Sequence, residues 1–175
     1  MSDNTHKIEF FFDYACPYCR QAYQTLTELL RDYPKMEIIW CPCESHPRPV
    51  PAVHGMHSDL CIQGMFFAAD NDIDLWQYHK LAFSLMHGSD INVENIDTLA
   101  QSLATLADAK KLKQALHGGI YLQALQDANR YAFEQSGVWA LPALRANGNK
   151  LDAVIDVGIT EKQIRNFISN NHKAF

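Results

Sequence analysis

Cysteine is scarce and odd in number. Five in 175 residues are too few for a disulfide framework, and an odd set cannot all pair within one chain, so most are expected as thiols. Positive charge is not in excess: 15 Lys and Arg face 20 Asp and Glu, a formal charge of -5. That leaves no broad basic face for nucleic-acid binding. No apolar run is long enough to span a bilayer, so no membrane association is expected. The first residues, Met1-Ser2-Asp3-Asn4-Thr5-His6-Lys7, lack the basic start and apolar stretch of a signal peptide, and cytoplasm is the expected location. Internal repeats and low-complexity tracts are absent.

What is present is enough for a core. With 47% hydrophobic and 11% aromatic residues, a chain of this length buries roughly 70% of the surface it exposes when unfolded. Disorder, collagen and small disulfide-stapled scaffolds are excluded. Residues 7–13, Ile and three Phe between polar ends, read as a buried strand. Ala22, Leu26, Leu29, Leu30 and Tyr33 then recur at helical spacing until Pro34 closes the helix, and 36–41 form a second strand. Strand, helix, strand is a βαβ unit with parallel strands and a right-handed crossover.

Residues 41–55 hold four prolines (Pro42, Pro47, Pro49 and Pro51) and read as an extended loop. From 58 to 135 the pattern is helical. Leu75, Tyr78, Ala82 and Leu85 share a face, as do Ile96, Leu99, Leu103 and Leu106, and Tyr121, Leu125, Ala128 and Ala132. Breaks at Asn71, Gly88, Asp108 and Gly118-Gly119 divide this block into four or five helices. Residues 142–146 and 151–157 read as strands joined through the hairpin signal Asn147-Gly148. Thr160 and Gln163 then form a capping box for a last helix with Ile164, Phe167 and Ile168 on one stripe.

Chemistry concentrates at Cys16-Pro17-Tyr18-Cys19. Cys16 falls where the first strand meets its helix, and Pro17 suits the first helical position, where the missing N–H costs nothing. Cys16 is therefore the N-cap, its sulfur facing unpaired N–H groups at the positive end of the helix dipole. This favours the thiolate, the attacking species in disulfide exchange. Cys19, one turn later, can close a disulfide with Cys16 and is the resolving thiol. CxxC is also half of a zinc site, but neither a second CxxC nor an HxxxH follows. The other available donors are Cys41, Cys43, His46, His54 and His57. Cys41 and Cys43 are read as thiols without function, Cys61 as core, and no metal site is assigned.

Phe10 to Cys19, with Asp13 three residues before the CxxC, resembles the active-site start of DsbA-like members of the thioredoxin superfamily, in particular the FrnE-type branch. Gly137-Val138-Trp139-Ala140-Leu141-Pro142-Ala143 is similar to that family's segment before its cis-proline loop. The resemblance implies an α/β, thioredoxin-like fold (β-α-β … β-β-α) over residues 1–55 and 136–175, with an inserted all-helical domain at 56–135. It further implies a cis Leu141-Pro142 bond beside Cys16, with Pro17, Tyr18, Leu141 and Pro142 contacting substrate. Two departures stand out: Leu141 occupies a position where relatives more often carry Val, Thr or Ile, and the Pro-Tyr dipeptide resembles that of glutaredoxins. Without a histidine there, a couple less oxidising than the strongest periplasmic oxidants is expected.

The expected activity is dithiol–disulfide exchange with Cys16 as nucleophile, acting on protein or small-molecule disulfides, with no tightly bound cofactor and glutathione as a candidate electron donor. Two alternatives stay open. One is a glutathione-dependent kappa-type transferase or isomerase on the same fold, whose members often carry Ser where Cys16 stands. The other is a non-enzymatic zinc-binding or redox-sensing protein. Asp13 is placed either to act on Cys19 or to cap the helix start. Trp76, Tyr78, Phe83 and Met86 either line a groove or belong to the core, and His54 and His57 either overhang the site or are solvated.

Overall fold

A computed structural model describes residues 6–172; residues 1–5, on which the reading of the N-terminus rests, lie outside the described residues. Strand β1 (His6–Phe12) runs into helix α1 (Pro17–Leu29), which tightens into a 3-10 turn, Leu30–Asp32, before β2 (Met36–Pro42). Five helices follow: α2 (Asp59–Asp70), α3 (Leu75–Gly88), α4 (Ile96–Ser102), α5 (Ala109–His117) and α6 (Leu122–Arg130). A π turn at Tyr131–Gln135 leads to β3 (Ala143–Ala146), β4 (Asn149–Asp152) and α7 (Glu161–His172).

The sheet has the order β2-β1-β3-β4. β1 and β2 are parallel, Phe12 opposite Pro42, while β3 is antiparallel to both β1 and β4. Period-two alternation sends the side chains of β1 into two cores. Ile8, Phe10 and Phe12 join α1, α7 and the helical insertion in the larger one. Phe11 meets Cys41, Cys43, Ala132, Val138 and Ala143 in the smaller. All four are fully buried, and each such side chain stabilises the fold by about 1.5–3 kcal/mol relative to exposure. Cys61 is buried in the large core, as are Tyr78, Phe83 and Met86, whereas Trp76 is half-buried at its margin.

Three elements depart from expectation. The strand read at 151–157 ends at Asp152, and 154–158 is a turn closed by the Val154–Gly158 bridge. Its Val154, Ile155 and Val157 are 55%, 64% and 62% exposed; these β-branched residues imitate a strand in sequence but have no neighbouring strand to pair with. The helix through Leu106 stops at Ser102, where the chain turns back with Leu106 N–H bonded to Leu103 C=O. The last inserted helix widens at Tyr131, where Ser136 N–H reaches the Tyr131 carbonyl at 2.8 Å, the longer bond of a π turn.

The capping box is present: Gln163 N–H donates to Thr160 Oγ1 at 3.3 Å, and Thr160 N–H donates to Gln163 Oε1 at 2.9 Å. The proline-rich loop after β2 carries no packed element. Arg48 and His57 fasten it to Glu94 at 3.2 and 2.7 Å.

Candidate active site

Cys16 is the N-cap of α1, with extended backbone angles (φ -81°, ψ 118°) and Pro17 just inside the helix. Its Sγ accepts from Cys19 N–H at 3.3 Å, and its carbonyl accepts from Arg20 N–H at 3.2 Å. Both cysteines are free thiols, but their surroundings differ. Cys16 keeps 6% exposure and Cys19 none.

The Cys16 thiol is lowered below its ordinary value, chiefly by the hydrogen bond from the Cys19 side chain and then by the backbone N–H groups of Cys19 and Tyr18, against the opposing effects of burial and the Asp13 charge. Burial first, then the same shared hydrogen bond, pushes Cys19 well above its ordinary value. Helix-terminal amides thus act where the sequence placed them, but the largest single influence on Cys16 is the neighbouring thiol. Of the pair, Cys16 is the thiol that ionises first and Cys19 the one that keeps its proton longer.

The loop carrying Cys16 is tied on several sides. Asp13, buried, accepts from Ala15 N–H at 2.9 Å through one oxygen and from Ser45 N–H at 2.7 Å through the other. Its carboxylate therefore ties the ends of β1 and β2 together, and it is the Asp13 backbone N–H that points to Cys19 Sγ, at 3.5 Å. Tyr14 is buried among Phe12, Tyr78 and Phe83. Its hydroxyl is hydrogen-bonded to His79 Nδ1 and its carbonyl accepts from His87 Nε2, both at 2.7 Å. Tyr18 donates its hydroxyl to the Asp156 carbonyl at 2.7 Å and lays its ring on Gly158, where an added Cβ would lie 3.0 Å from the ring.

His79 and His87 escaped the sequence reading. Both sit on α3, sixty or more residues from the CxxC, with no motif around them. Of the histidines singled out in sequence, His57 is engaged by Glu94 and the Val50 carbonyl, and His54 is exposed on the same loop, near enough for its charge to act on His87. Cys41 and Cys43 lie in the smaller core with their thiols raised by burial, Cys41 to about 12. Among the described residues no three His, Cys, Asp or Glu side chains are grouped to hold a metal ion.

The Leu141–Pro142 peptide bond is cis, as is Arg48–Pro49, which the sequence did not single out. Pro142 is buried and its carbonyl accepts from Ala153 N–H at 3.0 Å. Leu141, half-buried, packs against both cores.

A βαβ unit whose crossover helix opens on a CxxC, then a helical insertion, an antiparallel hairpin and a closing helix together define a thioredoxin-type fold. The chain belongs to the family of the DSBA-like thioredoxin domain, whose model matches residues 7–140. It is 21% identical over 194 residues to the uncharacterized protein YwbO of Bacillus subtilis, covering 91% of this chain and 96% of that one. Among solved structures it is similar to a probable DsbA oxidoreductase from Streptomyces coelicolor, with a TM-score of 0.79 at 10% identity over 97% of this chain and 91% of the other. It is also similar to a 2-hydroxychromene-2-carboxylate isomerase, with a TM-score of 0.73 at 14% identity over 95% of each chain.

Proposed function

We propose that the protein is a thiol–disulfide oxidoreductase that works through the Cys16-Pro17-Tyr18-Cys19 dithiol. The observation that carries this reading is the asymmetry of the two sulfurs: a lowered, slightly exposed thiol at the helix N-cap and a raised, fully buried one a turn later. Cys16 thiolate attacks one sulfur of a substrate disulfide, and the other substrate sulfur leaves as a thiolate. Cys19 then gives up its proton and attacks Cys16 Sγ, expelling the second substrate thiolate. The products are a Cys16–Cys19 disulfide and a reduced substrate, and a thiol donor such as glutathione returns the pair to the dithiol.

Pro17 and Tyr18 border the approach to Cys16, and Leu141 presents its backbone to the substrate beside Pro142, which has no N–H and whose carbonyl is already held by Ala153 N–H. No backbone hydrogen bond among the described residues engages Leu141, which leaves its N–H and C=O for an added strand. In a reducing cytoplasm, where we place the protein, the direction is substrate reduction.

With a thiol donor and a disulfide substrate, Cys16→Ala abolishes turnover and Cys19→Ala accumulates the mixed disulfide on Cys16. Turnover that survives Cys16→Ala rejects the reading. The likeness to the isomerase supports a second reading, a glutathione-dependent isomerase, which requires activity that persists after Cys19→Ser.

A further inference from the structure

Beside the dithiol lies a basic cleft that the exchange steps leave unused. We infer that it seats an acidic segment of the polypeptide whose disulfide reacts with Cys16, an inference that rests on the exchange activity proposed above. The cleft, about 380 Å³, runs between α1 and α3, with Arg20, Arg31 and Lys80 among its lining residues and Tyr23 and Phe83 beneath them. At one end it continues past Arg20 and Gln24 into a hollow bordered by Pro17, Tyr18 and His87. At the other it passes Arg31 and Lys80 and reaches Trp76. It thus leads from the dipeptide between the two cysteines along the whole length of α1.

The pattern of charge pairing singles the cleft out. Of the six arginines, Arg48, Arg130, Arg145 and Arg165 hold carboxylates. The other two, Arg20 and Arg31, both line this cleft, and neither they nor Lys80 has an ion-pair partner among the described residues. Glu28, the one acid lining it, leaves an excess of positive charge on a chain whose formal charge is -5.

Spacing decides the kind of ligand. Arg20 on α1 and Arg31 in the 3-10 turn that continues it line the same cleft, about 16 Å apart along the helix, too far to converge on one carboxylate or phosphate. An extended polypeptide covers that span in about five residues, with alternate side chains pointing to the same side. A polypeptide also carries the disulfide that Cys16 attacks, which a nucleic acid does not.

The test uses two synthetic peptides, each with one cysteine linked as a disulfide to 2-nitro-5-thiobenzoate, flanked on both sides by four Glu in one and four Gln in the other. Attack of Cys16 thiolate on the peptide sulfur forms the Cys16–peptide disulfide and releases the coloured thiobenzoate anion. Cys19 then expels the peptide thiol. At low salt the reduced protein is expected to react about tenfold faster with the Glu peptide, and the advantage to vanish near 0.5 M NaCl. In the Arg31→Glu/Lys80→Glu variant, altered far from Cys16, the ratio of Glu to Gln rates falls below one. Equal rates in the wild type, or a ratio that survives the double substitution, overturn the cleft's role and leave the exchange activity standing. No colour with either peptide overturns the exchange activity itself. An oligothymidylate that competes more strongly than a cysteine-free Glu peptide overturns the assignment to a polypeptide.

Discussion

His87 Nε2 donates to the backbone carbonyl of Tyr14 across 2.7 Å, so the loop that presents Cys16 hangs from the last turn of a helix in the insertion. His87→Ala leaves that carbonyl without its donor. The expected result is a loss of about 1 kcal/mol in stability and slower disulfide exchange through a loosened loop. Urea unfolding and stopped-flow exchange on the same variant check both.

The hydrogen bond with the Cys19 side chain is the largest influence holding Cys16 low. Cys19→Ala therefore raises the Cys16 pKa towards the ordinary thiol value of about 8.5, and Cys19→Ser raises it less, because a hydroxyl still donates. Thiolate absorbance at 240 nm against pH gives both values. In the wild type, Cys16 alkylates rapidly at neutral pH while Cys19, held high by burial, reacts only in alkali. The reduced protein also gains stability from Cys16 as pH rises towards the unfolded thiol pKa and loses that contribution as pH falls.

Burial pushes the imidazole of His79 down to about 3, and its Nε2 has no hydrogen-bond partner. The unfolded chain takes up this proton near pH 6.5, so the contribution of neutral His79 to stability is complete above that pH. It is lost progressively as pH falls towards 3, at up to about 1.4 kcal/mol per pH unit. His79→Phe is expected to flatten this acid slope, although it strands the Tyr14 hydroxyl and costs stability at pH 7. Urea midpoints at several pH values between 7.5 and 4 measure the slope for each protein.

Gly158 has φ +83° and no room for a Cβ beneath the Tyr18 ring. Gly158→Ala combines backbone strain with a displaced tyrosine, for an expected loss of about 1–3 kcal/mol. Tyr18→Phe, which only removes the bond to the Asp156 carbonyl, is expected to cost about 0.5–1.5 kcal/mol. Thermal unfolding of the two variants separates strain from the hydrogen bond. Equal losses would refute the distinction.

The parts of the fold that were legible in sequence are those fixed by local pattern. The apolar run of Ile8 and three consecutive Phe, the α1 stripe through Leu26, the Asn147-Gly148 turn and the Thr160–Gln163 box each announce themselves within a few residues. Cys16 could be placed at a helix N-cap because Pro17 marks the first turn. The supports of the site were not legible, because they are tertiary. Nothing near His79 or His87 in sequence indicates that Tyr14 will reach them. Val154, Ile155 and Val157 misled for the converse reason: their β preference is local, but a strand needs a neighbour, and the sheet ends at β4.

Tyr14 has its own consequence. With its hydroxyl on His79 and its carbonyl on His87, the stretch ahead of Cys16 takes its position from α3 as well as from the sheet. Grafting the inserted helices of a relative onto this frame would therefore retune the reactivity of the sulfurs with every residue from Cys16 to Cys19 unchanged. Redox character in such a molecule is divided between two segments of the chain that can diversify separately.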